Sequence, residues 1–318
     1  MRIAVLDDYQ RVATTLGDWD RLGADVSIEV FDRNLASVEE AAAALAPYEV
    51  VCLMRERMPM PRALIERLPN LKLIVVTGAR TRSIDFKAAA ERGIPVCHTR
   101  GGESHHATPE LAWGLILSCA RAIPQEHARV RAGAWQETIG TVLHGKRLGL
   151  LGLGKLGQRM VPVARAFGME VIAWSQNLTP ERAREGGAEY VDKEALFSRA
   201  DVVSIHLVLG ERTRGIVGQP ELSRMKPGAI LINTSRGPLV DGTALLGALE
   251  AGRIRAGLDV FDVEPLPEGD PLRRAPNLVT TPHLGYVTEG TYQAFFEDMV
   301  EDIAAWRAGA PVRLLGPA

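Results

Sequence analysis

Residues 148–157, reading Leu-Gly-Leu-Leu-Gly-Leu-Gly-Lys-Leu-Gly, constrain the fold more than any other stretch. Residues 148–151 have the length and apolar character of a buried strand. Gly152-Leu153-Gly154-Lys155-Leu156-Gly157 follows at once and fits G-x-G-x-x-G, and a helical pattern opens behind it. In such a junction the first glycine permits a tight turn and the second lets a pyrophosphate approach the backbone. The third lets helix and strand pack closely. The helix start adds unpaired N–H groups and the positive end of a dipole. The chain has 31 glycines, so the pattern alone discriminates poorly. Its place between strand and helix makes a dinucleotide site a better reading than an ordinary turn.

A length of 318 residues suggests about two domains. Hydrophobic residues make up 46% and charged residues 24%, the composition of a globular protein. The formal net charge of -2 gives no electrostatic footprint for nucleic acid or an anionic membrane, so neither is expected as a partner. No apolar run is long enough to span a bilayer. The N-terminal run breaks at Asp7-Asp8 and reads as a first strand, too short for a signal peptide. Cys52, Cys97 and Cys119 sit in apolar surroundings without C-x-x-C spacing. They read as inert buried thiols of a cytoplasmic protein, and no metal site is expected.

Strands are predicted at 3–6, 26–31, 50–54, 73–76 and 95–97, alternating with helices at 38–45, 62–68 and 84–92. Thr108-Pro109-Glu110 then reads as the start of a long helix, with Thr108 as N-cap and Pro109 at N1. That helix runs toward Ala122, and the stretch to Trp135 continues largely helical. Alternation resumes with strands at 170–174, 201–205, 229–233, 255–260 and 278–281, and Asp241 caps a helix ending at Gly252. A last helix spans 288–307 and is expected to cross back to the first domain. The fold class is α/β, with two doubly wound parallel-sheet domains.

Open parallel sheets bind ligands beyond the carboxyl ends of their strands. Arg236, in Thr234-Ser235-Arg236-Gly237, follows strand 229–233. Asp259 closes strand 255–260, with Glu264 just beyond it, and His283 follows strand 278–281. Reducing a ketone needs a hydride donor, a proton donor and a cation to hold the substrate. A nicotinamide supplies the first. His283 suits the second, because imidazole changes charge near neutral pH. Glu264 is placed to bond the other ring nitrogen and favour imidazolium. Arg236 suits the third, gripping a carboxylate bidentately. Each residue alone has an ordinary structural explanation; their joint placement beside a dinucleotide loop favours catalysis.

Further motifs carry a family resemblance. They are His-Leu-Val-Leu (206–209), Arg-Thr-Arg-Gly-Ile-Val-Gly (212–218), Met-Lys-Pro-Gly-Ala (225–229) and Asn-Thr-Ser-Arg-Gly (233–237). Gly-Leu-Asp-Val-Phe (257–261), Glu-Pro (264–265) and Thr-Pro-His-Leu-Gly (281–285) continue the series. With the glycine loop, and in this order, the chain resembles the D-isomer-specific 2-hydroxyacid dehydrogenases over nearly its whole length. The resemblance implies Arg236, Glu264 and His283 as the catalytic set. It implies nicotinamide contacts from Asp259 and backbone contacts around His206, Leu207, Val208, Thr234 and Gly285. It also implies a homodimer formed through the helical stretch after about residue 110. A flavodoxin-like substrate domain of residues 1–100 and 287–318 would flank an NAD(P)-binding Rossmann domain of 101–286. No regulatory extension is expected.

For the substrate, the backbone N–H groups of Gly78, Ala79 and Arg80 are candidate carboxylate contacts, and Arg55 is a second candidate anion contact. His105 and His106 read as hydrated loop residues. Thr108 is expected to meet a cofactor phosphate at its helix start. The strand at 170–174 is followed by Ser175, where an acid usually binds the adenosine ribose. A serine hydroxyl bonds a hydroxyl or a phosphate oxygen, so use of both NAD and NADP is expected. The reaction read from these residues interconverts a small 2-oxo acid and its D-2-hydroxy acid. A dinucleotide-sensing binding protein or corepressor on the same fold is the alternative. These residues do not rank glyoxylate, hydroxypyruvate, pyruvate or bulkier oxo acids.

Overall fold

Among the described residues, short Val-, Ile- and Leu-rich runs bounded by polar turns form twelve strands in two sheets, all paired in parallel. A computed structural model describes residues 1–79 and 81–316. The chain divides into Met1–Glu103 with Thr288–Ala318, and Ser104–Val287.

In the first unit, β1 (Arg2–Val5), β2 (Ser27–Val30), β3 (Val50–Leu53), β4 (Leu73–Val76) and β5 (Val96–His98) lie in the order β2-β1-β3-β4-β5. Strand residues alternate between faces. Ala4, Val51, Leu53, Ile74 and Val76 pack in one cluster with Leu45, Leu64, Ile65 and Ala88 of the flanking helices. Ile3, Val5, Val50, Cys52, Leu73 and Val75 are buried on the opposite face, and the helix Glu289–Arg307 lies against β4 and β5. Runs buried on both faces are what a parallel sheet covered by helices requires.

In the second unit, β6 (Arg147–Leu151), β7 (Glu170–Trp174), β8 (Glu189–Tyr190), β9 (Val202–Ile205), β10 (Ile230–Asn233), β11 (Arg255–Leu258) and β12 (Leu278–Thr280) follow in sequence. Their spatial order is β12-β11-β10-β9-β6-β7-β8. One face packs Leu151, Val203, Ile205, Leu231 and Leu258 against Phe197, Leu222, Leu245 and Leu249. The other packs Leu148, Leu150, Val202 and Ile232 against Ile116, Met160, Val161 and Ala164. Burying each of these side chains other than Ala164 contributes about 1.5–3 kcal/mol. Strand order reverses at β6, between β7 and β9, and the glycine loop leaves the sheet at that point.

Two predicted boundaries are corrected. The long helix spans Ser104–Arg121, so Thr108 is not its N-cap and Pro109 lies inside it. The Thr108 hydroxyl donates to the Gly285 carbonyl at 2.7 Å, with the Ser104 carbonyl of the preceding turn at 3.0 Å. Pro109 therefore stands at the sixth helical position, where it cannot donate to the His105 carbonyl. The helical reading toward Trp135 also shortens, to Ile123–Arg131.

Candidate active site

The three glycines of the loop after β6 meet different demands. Gly152 has φ 107°, and its N–H donates to the Trp174 carbonyl at 2.9 Å. A Cβ there would lie 2.7 Å from the His206 carbonyl oxygen, and one at Gly157 would lie 2.2 Å from the Gly152 carbonyl oxygen. Chain packing alone demands glycine at both. Gly154 differs: it caps the helix Lys155–Ala166 with extended backbone, and a Cβ there would meet nothing within 4 Å. Open space above the first turn of a helix is what a pyrophosphate needs, beside the backbone of Lys155 and Leu156.

Two more observations on this strand edge fit a dinucleotide. Burial lowers the His206 imidazole to about 4, so it is neutral at neutral pH. Its Nε2 lies 2.9 Å from the Ser204 hydroxyl, while Nδ1 is buried without a hydrogen-bond partner among the described residues. The Thr234 hydroxyl, beyond β10, is likewise buried and unpaired. Buried polar atoms normally find partners, and unpaired ones in a cluster point to a ligand. Leu207 is half-buried and Val208 exposed, with the Val208 carbonyl accepting from the Thr213 hydroxyl at 2.8 Å.

The three candidate catalytic residues all lie in the second unit. Arg236 precedes a 3-10 turn, Gly237–Leu239, and its Nη1 donates to the Ser235 carbonyl at 2.7 Å. Glu264 lies beyond β11 and accepts the Phe261 N–H on Oε1 at 2.9 Å. His283 follows β12 with φ 57°, and its Nδ1 stands 2.5 Å from Glu264 Oε2. Burial would raise the Glu264 carboxyl. The His283 hydrogen bond and charge, the Phe261 N–H and the Arg236 charge together hold it below the usual carboxylate range. A charged Glu264 thus faces the ring, leaving Nε2 as the nitrogen to pass a proton.

Asp259 is the buttress of this loop. Its side chain is fully buried. Oδ1 accepts from the Thr281 hydroxyl (2.6 Å) and the Leu284 N–H (2.7 Å), and Oδ2 from the Gly285 N–H (2.9 Å). Those bonds hold the left-handed backbone of His283, which costs about 1–3 kcal/mol in a non-glycine residue. Gly285 has both backbone groups engaged, its N–H by Asp259 and its carbonyl by Thr108. Thr108 consequently serves this loop rather than a helix start. Sequence reasoning missed Tyr286, whose ring meets His283 edge-on at 5.5 Å; an aromatic three residues past the histidine was the available signal.

Ser175 is half-buried one residue past β7, and no carboxylate stands beside it before the exposed Glu181. In the first unit Arg55 has φ 55°; its N–H donates to the Thr77 hydroxyl at 2.7 Å and its Nη1 to the Thr77 carbonyl at 3.2 Å. Gly78 lies under that guanidinium, and its N–H already donates to the Thr99 hydroxyl at 3.0 Å. This corrects Gly78 as a carboxylate donor. Ala79 is exposed on the same loop, and Arg80 lies outside the described residues. His105 and His106 are exposed, with His106 Nδ1 3.0 Å from Arg159. Among the described residues no group of histidine, cysteine and acidic side chains could hold a metal ion.

Comparison with known proteins gives concordant matches. Residues 113–285 match the family described as D-isomer specific 2-hydroxyacid dehydrogenase, NAD binding domain. A glyoxylate reductase from Thermococcus litoralis is 40% identical over 258 residues, covering 78% of this chain and 77% of that protein. A hydroxypyruvate reductase from Thermotoga maritima is 36% identical over 309 residues, covering 95% and 97%. The crystal structure of phosphoglycerate oxidoreductase from Vibrio cholerae o395 is 36% identical with a TM-score of 0.91, covering 98% of this chain and 100% of that one. The chain spans about half the length of the D-3-phosphoglycerate dehydrogenases of Archaeoglobus fulgidus and Methanocaldococcus jannaschii, 54% and 49%.

Proposed function

The chain belongs to the D-isomer specific 2-hydroxyacid dehydrogenases, and on that premise we propose that it reduces a small 2-oxo acid at Arg236, Glu264 and His283, with NADH or NADPH. Membership makes it an oxidoreductase and sets aside the corepressor alternative. The observation that carries the residue roles is the 2.5 Å contact of His283 Nδ1 with Glu264 Oε2. A bound nicotinamide supplies the hydride. Arg236 grips the substrate carboxylate and polarises the adjacent carbonyl. His283 gives its Nε2 proton to the carbonyl oxygen, and the charged Glu264 steadies the imidazolium before transfer. In the reverse direction His283 takes the hydroxyl proton. The glycine loop and the first turn of the helix behind it hold the pyrophosphate; His206 and Thr234 border the rest of the cofactor.

Glyoxylate and hydroxypyruvate are the first substrates to try, since relatives carry those names. Ser175 leaves the ribose position without a carboxylate to repel an extra phosphate, which supports use of both cofactors. The apolar side chains Trp135, Ile139 and Val142 are 75%, 99% and 70% exposed within eight residues, which supports a homodimer formed through this segment. Three free, buried cysteines support a reducing cytoplasmic setting. No helix among the described residues is long and apolar enough to cross a membrane.

The test is a panel of 2-oxo acids with each cofactor, followed by loss of nicotinamide absorbance. Turnover with at least one acid is expected, falling about a hundred-fold or more in His283→Ala. Near-normal kcat in that variant removes His283 from proton transfer. A preference for NADH beyond about a hundred-fold contradicts dual use, since that ratio is about 2.7 kcal/mol, the size of a charged ribose contact.

A further inference from the structure

Behind the segments bearing Arg236 and Glu264 lies a cavity of about 490 Å³, within the size range of small-molecule sites. It opens on the sheet face that carries the helix Gly242–Glu250. Its floor is apolar and buried, formed by Leu245, Leu258, Val260 and Phe261. Its rim is charged. Asp241 and Asp270 are occupied as caps, accepting from Ala244 N and Leu272 N. Arg214 and Asp262 are not: among the described residues neither side chain makes a hydrogen bond or an ion pair. Both residues are exposed at the rim, and the Arg214 charge opposes the rise that partial burial gives the Asp262 carboxyl.

We propose that this cavity is a second ligand site, taking a bulky apolar α-amino acid with its carboxylate on Arg214, its ammonium on Asp262 and its side chain over the apolar floor. A separated pair of opposite charges at the mouth of an apolar pocket complements a zwitterion whose charges sit on one carbon. A ligand bearing one charge would leave the opposite rim group unpaired. The site also touches the catalytic loop from behind. Phe261 lines it and donates to Glu264 Oε1, and Leu266 lines it two residues past Glu264. Gly237, next to Arg236, packs so closely that a Cβ would lie 2.1 Å from the Phe261 carbonyl carbon. A ligand pressing on this wall moves Glu264 against His283 and so changes turnover. Only that coupling rests on the dehydrogenase reading; the binding rests on the cavity.

Calorimetric titration of the whole protein with L-phenylalanine tests the binding without any turnover. The comparison ligands are 3-phenylpropionate, which lacks the amine, and 2-phenylethylamine, which lacks the carboxylate. L-Phenylalanine is expected to bind at least about ten-fold more tightly than either. Arg214→Gln and Asp262→Asn should each weaken it by about ten-fold, leaving melting temperature and NADH affinity unchanged. No heat of binding up to about 10 mM overturns the proposal. So does equal binding of the two analogues, or affinity indifferent to both substitutions. Binding lost in Arg236→Ala but kept in Arg214→Gln would place the amino acid in the catalytic site and likewise overturn it.

Discussion

His283 and Glu264 form a pair whose charges can be tested separately from their geometry. Glu264 is buried enough that its carboxyl should rise, yet its partners hold it low, so it is ionised at neutral pH. Its contact with Nδ1 orients the ring so that Nε2 is the nitrogen that donates in 2-oxo acid reduction. Glu264→Gln keeps a hydrogen-bond acceptor but removes the charge, and kcat should fall by about ten-fold or more with little change in KM for the 2-oxo acid. An unchanged kcat would show that the Glu264 charge takes no part in the reaction.

At the scale of elements, the glycine loop and the last helix each make a distinct prediction. Gly154 faces open space and Gly157 faces the Gly152 carbonyl. Gly154→Ala should leave the melting temperature within about a degree and raise the KM for NADH by about ten-fold or more. A normal KM would mean that no phosphate approaches this backbone. In the last helix, Asp302 accepts from Arg313 Nε at 2.9 Å on one oxygen, and its other oxygen is buried without a hydrogen-bond partner among the described residues. Burial raises its carboxyl from 3.8 to about 7, against the pull of Arg313. The folded chain thus holds a proton that the unfolded chain releases above its own lower pKa. Stability falls as pH rises between those two values and is flat above the higher one. Asp302→Asn keeps the acceptor for Arg313 and should flatten that decline in melting temperature; an unchanged slope would assign it elsewhere.

The same elements show what the chain discloses before it folds. Buried parallel strands announce themselves as apolar runs, and ligand groups collect at their carboxyl ends. Strand ends therefore located the glycine loop, Arg236, Glu264 and His283 without coordinates. Thr108-Pro109-Glu110 misled because capping rules read only neighbours, whereas the Thr108 hydroxyl bonds to Gly285, 177 residues away. The Asp259 buttress escaped for the same reason, its partners lying 22 to 26 residues on. The strand Glu189–Tyr190 has two residues, too few for any periodicity. Gly78 looked available as a donor because nothing local marks its bond to Thr99.

For the whole molecule, the exposed apolar segment around Ile139 and the reaction itself remain to be measured. If copies meet through that segment, Ile139→Asp should shift the mass from light scattering toward one chain; a wild-type protein already of single-chain mass would contradict the homodimer. The central claim is that Arg236, Glu264 and His283 act together on a 2-oxo acid with a nicotinamide cofactor. Its most direct measurement is the product of glyoxylate-free turnover, in which NADH and hydroxypyruvate or pyruvate are incubated with the protein and the 2-hydroxy acid is resolved on a chiral column. The D enantiomer alone is expected, one molecule for each NADH consumed, with His283→Ala forming it about a hundred-fold more slowly. Formation of the L enantiomer, or NADH loss without a 2-hydroxy acid, would contradict it.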